Sequence, residues 1–180
     1  MKGQALLQNI FDTIKEWQIK IGYQEESMGL YYPATSLKNL LELSENVDLS
    51  ELLKELDIFF KKEEAVLGKV EVTNQQDRIC LQISKEGTAY VHENISASPF
   101  LLDFIKRITT PGCTLEEIKG VFYKYSTDVV EENGIHEGAG KVLYFKDETI
   151  DPYVYCLEFD EFGATYHRFG RADFKHLFTE

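Results

Sequence analysis

Leu6, Leu7, Ile10, Phe11, Ile14, Trp17 and Ile21 recur at steps of three and four, with Asp12, Lys15, Glu16 and Lys20 mostly on the other side. That period predicts an amphipathic helix ending at Gly22. The segment "YQEESMGLYYP", Tyr23 to Pro33, has Gly29 and Pro33 as breakers and reads as an ordered loop in which Leu30, Tyr31 and Tyr32 pack. Ser36 is a good N-cap for a short helix with Leu37, Leu40, Leu41 and Leu43. Asp48 with Glu51 makes a capping box for a second, which carries Leu49, Leu52, Leu53, Leu56 and Phe60. After Gly68 the period changes to two. "KVEVT" and "RICLQIS" alternate, Ile79, Leu81 and Ile83 share one face, and "NQQD" supplies a hairpin loop.

The second half opens on Ser98 and Pro99, an N-cap and first helical position, before the apolar stripe Phe100, Leu101, Phe104, Ile105 and Ile108. Thr110, Pro111 and Gly112 stop that helix, and Thr114 with Glu117 caps the next, "LEEIKGVFYKY". Beyond it "KVLYF", "YVYCLEF" and "ATYHRF" read as strands of an antiparallel meander, closed by a helix from Arg171 to Phe178. The fold class expected is α+β, with a helical and hairpin region over 1–110 and a helix plus meander over 111–180, packed as one compact unit.

The order helix, helix, hairpin is that of a winged-helix module. The run "LGKVEVTNQQDRICLQISKEGTAYVHE", Leu67 to Glu93, resembles the wing and following helix of bacterial winged-helix proteins. There a strand ends in Ile-Ser or Leu-Thr, followed by two residues, a glycine and an aromatic three positions on, here Ile83, Ser84, Gly87 and Tyr90. The phrases "KIGYQEESMGLYYPATSL" and "DPYVYCLEF" are similar to an uncharacterised Firmicutes-type bacterial family of about this length, a domain of unknown function. That resemblance implies no catalytic residues.

Composition narrows the partners. In 180 residues, 43% are hydrophobic and 13% aromatic, ample for a packed core. The net charge of -12 disfavours nucleic acid and anionic membranes, though it does not speak to a local basic patch. Within the first helix Gln4, Gln8, Asn9 and Asp12 interrupt any signal-peptide core, and no run is long enough to span a membrane. Cys80, Cys113 and Cys156 form no CxxC pair, so a reducing cytoplasm is expected.

Four sets of residues invite chemistry. "ENGIHEGAGKVLYF", Glu132 to Phe145, suggests a phosphate loop, but Ile135 stands where its first glycine belongs and Val142 where a hydroxyl should hold magnesium. "VLYF" also reads as strand, so no helix N-terminus meets the anion. His136 and Glu137 lack metal-ligand partners at helical spacing, and neither cofactor nor metal is expected. A turn at Asp160 to Gly163 would set Cys156 across from His167 with Glu158 on the same face, the material of an activated thiolate. Tyr144, Tyr153, Tyr155, Tyr166 and Phe169 could form a stacking platform. The helix "DLSELLKELDIFFKK" would be the one to enter DNA, yet Glu51, Glu55 and Asp57 oppose phosphate. The expected function is therefore non-catalytic protein interaction, with a protein partner or self-association. The alternatives are a winged-helix DNA-binding regulator, and a small-ligand-binding protein or thiol enzyme using Cys156, His167 and Glu158.

Overall fold

A computed structural model describes residues 3–134 and 140–178, with side chains of the last helix as far as Phe174. The chain divides into two compact units, Met1–Ala97 and Ser98–Glu180. Helix Pro99–Ile108, read from sequence with the first region, thus belongs to the second unit. The class is α+β, with two antiparallel sheets.

In the first unit α1 (Gln4–Ile21) buries Leu6, Ile10, Phe11 and Ile14 and stops at Gly22, whose φ is 81°. Trp17 and Ile21, expected on the same stripe, are about half exposed, because the helix outlasts the core beneath it. The segment expected as a loop contains strand β1 (Met28–Pro33). Its Leu30 and Tyr32 are buried while Tyr31 faces out, the alternation of a half-buried strand. Gly29 and Pro33 are compatible with it because β1 lies at a sheet edge and Pro33 is its last residue.

Helix α2 (Ala34–Leu40) begins two residues before Ser36, so Ser36 is buried inside it and Pro33 occupies the cap position. Asp48 caps α3 (Leu49–Lys62) as expected, accepting from the Glu51 N–H at 2.8 Å. Leu52, Leu56, Phe59 and Phe60 turn inward. The short α4 (Glu64–Leu67) leads through Gly68 to β2 (Val70–Gln75) and β3 (Arg78–Ile83). The sheet order is β1-β3-β2, with Leu30 opposite Leu81 and Val72 opposite Leu81 from the other side.

Ser84 caps α5 (Lys85–Asn94) through the Gly87 N–H. This helix is tied to α1, because Gln18 donates to the Thr88 carbonyl at 2.9 Å and Lys15 to those of Val91 and His92. The lysine satisfies carbonyls at a helix C-terminus, where a cation is favourable.

The second unit begins with α6 (Pro99–Ile108), capped by Ser98, and α7 (Leu115–Tyr125), whose Thr114 and Glu117 complete a reciprocal capping box. Then come β4 (Val129–Asn133), β5 (Lys141–Phe145), β6 (Tyr153–Phe159), β7 (Ala164–Gly170) and α8 (Arg171–Phe178). The four strands form a meander in the order β4-β5-β6-β7. Strand β4 is not anticipated by the periodicity, since "VVEEN" does not alternate. It is an edge strand that hydrogen-bonds one neighbour alone, and its two valines are half-buried.

One face of this sheet joins α6 and α7 in an aromatic core. Phe100 lies 4.9 Å from Phe122, 4.8 Å from Phe145 and 5.8 Å from Tyr155 between ring centroids, each edge-to-face. That geometry puts ring edges, which carry positive charge density, against negative faces.

Candidate functional site

The C-terminal hairpin has the register expected of it. Asp160 Oδ1 accepts from the N–H groups of Phe162 and Gly163, which shapes the turn. Cys156 is then paired with His167 and Glu158 with Thr165. The three candidate residues do share a sheet face, because they alternate with Tyr155 and Leu157, which point into the core.

Their electrostatics oppose thiolate chemistry. Burial, and secondarily the Glu158 carboxylate, push the Cys156 thiol up to about 11. A nucleophilic cysteine needs the opposite shift. At neutral pH Cys156 carries roughly 300-fold less thiolate than an ordinary thiol near 8.5, so it should react with iodoacetamide at least about 10-fold more slowly even though a more basic thiolate is more nucleophilic. His167→Ala should leave that rate unchanged. Fast labelling that His167→Ala abolishes would restore the nucleophile; the rate should be followed by intact mass.

The five aromatic residues do not form one platform. Tyr153, Tyr155 and Tyr166 lie on the helix-facing side, where Tyr155 is fully buried and its ring is 4.7 Å from Phe104. Tyr144 and Phe169 lie on the Cys156 side. Asp151, which sequence reasoning passed over, is buried and accepts from the Tyr153 N–H at 3.0 Å and the Tyr155 hydroxyl at 3.1 Å. Its carboxylate gives that buried phenol a charged acceptor. An acid between Ile150 and Pro152 carries no sequence pattern to announce that role.

Of the glycine-rich loop, Ile135 to Ala139, including His136 and Glu137, lie outside the described residues, as does the side chain of His176. Lys141 opens strand β5 and not a helix, as expected. Gly140 has a packing role, since a Cβ there would overlap the Leu157 carbonyl. His92 stacks on Tyr23 at 4.0 Å. Among the described residues no group of three His, Cys, Asp or Glu could hold a metal ion. Among them, too, no helix is long and apolar enough to cross a membrane.

A different surface is built for contact. Helix α3 carries two kinds of apolar residue, and only one enters the core. Leu49 and Ile58 are 41% and 61% exposed, and with Leu53 they wall an open groove of about 840 Å³ whose other lining residues are Ser50, Lys54 and Asp57. Lys54 is the one cation of that lining. The neighbouring Lys61 is bonded to Asp57 at 2.7 Å. A second groove of about 490 Å³ shares Leu53 and Asp57 and reaches Phe60, Val70 and Val72 beside the edge strand β2. Trp17, Gln18, Ile21 and Met28 line a smaller cavity of about 300 Å³ at the end of α1.

No curated protein and no solved structure matches the chain. Residues 3–178 match the model of the family described as Domain of unknown function, E. rectale Gene description (DUF3877), and the chain belongs to that family.

Proposed function

We propose that the first unit is a winged-helix-type module that works by docking protein, in a reducing cytoplasm, and that the chain is not an enzyme. The observation that carries this reading is the outer face of α3, where Leu49, Leu53 and Ile58 stand in place of base- and phosphate-binding side chains. The element order α1-β1-α2-α3, then a hairpin whose last strand pairs with β1, supports the winged-helix assignment. In such modules α3 and the hairpin tip meet DNA. Here the α3 groove offers one lysine beside an aspartate, and the hairpin tip offers Arg78 beside Asp77.

Leu49 and Ile58 are exposed and Leu53 partly so at one groove with polar neighbours, which suits a protein surface. The three cysteines are free thiols, which supports the compartment. A thiol enzyme at Cys156 is the weaker reading because burial stabilises its protonated form.

Fluorescence anisotropy with a labelled random-sequence duplex at low salt tests the choice between protein and DNA. The full chain is expected to give no saturable rise. Saturable binding that weakens steeply with salt would reveal phosphate contacts and overturn the protein-docking reading.

A further inference from the structure

We draw no further inference here: the strongest candidate, the open groove on the outer face of α3 walled by Leu49, Leu53 and Ile58, carries none because nothing in the structure shows what covers it.

Discussion

Phe100→Ala is expected to destabilise the second unit by about 3–5 kcal/mol, the cost of emptying a large aromatic site in a packed core. The side chain is 1% exposed, and beyond Phe122, Phe145 and Tyr155 its ring meets Phe104 at 5.8 Å and Tyr125 at 5.7 Å. Each neighbour belongs to a different element or turn, so none can close the space without dragging a helix or strand with it. Edge-to-face pairs add about 0.5–1.5 kcal/mol each beyond burial, though pairs sharing one ring are not additive. Urea unfolding followed by far-UV circular dichroism measures the loss. Tyr123→Ala, 47% exposed on α7, is the control and should change stability by less than about 0.5 kcal/mol. A loss below about 1 kcal/mol for Phe100→Ala would mean that the aromatic cluster is not close-packed.

Phe100 also shows what a single sequence makes legible. Its place follows from the stripe of α6, and the register of β6 and β7 follows from the turn at Asp160 to Gly163, because both depend on local spacing. Strands β1 and β4 are not legible in this way. Each sits at an edge, where a strand needs one hydrogen-bonded neighbour and tolerates Gly29, Pro33 or a run of acids. Periodicity likewise assigns Trp17 and Ile21 to the core, because it records which residues share a helix face and not where the core beneath that face ends. The same blindness hides α3. In sequence Leu49 and Leu53 form one apolar set with Leu52 and Leu56, whereas the fold buries the latter pair and leaves Leu49 at the groove. For Cys156 the sequence supplies the neighbours but not the burial that raises its thiol.

Gly87→Ala is expected to destabilise the first unit by about 2–3 kcal/mol, against the ordinary gain of about 1 kcal/mol when alanine replaces a helical glycine. Gly87 stands in the first turn of α5. A Cβ there would overlap the Leu67 carbonyl oxygen and come within 2.8 Å of Ile83 Cγ2. The oxygen belongs to backbone at the end of α4, and the methyl to the buried end of β3, so neither yields as a flexible side chain would. Gly68 completes the approach. Its φ is 62°, and a Cβ on it would overlap Ser84 Oγ, the group that caps α5. The chain passes from α4 into β2 directly across the start of α5, at a distance that only two glycines permit. In the pattern Ile83, Ser84, Gly87 and Tyr90, the serine thus caps the helix, the glycine admits the crossing backbone, and Tyr90 packs on Phe11 at 6.0 Å. Gly120→Ala in α7 is the comparison, because nothing lies within 4 Å of its Cβ position, and it should stabilise by about 0.5–1 kcal/mol. Opposite signs for these two helical glycines, measured by urea unfolding, would establish the crossing as the cause. Equal stabilisation by both would place the Leu67–Gly68 turn away from α5 and remove the packing account of the pattern.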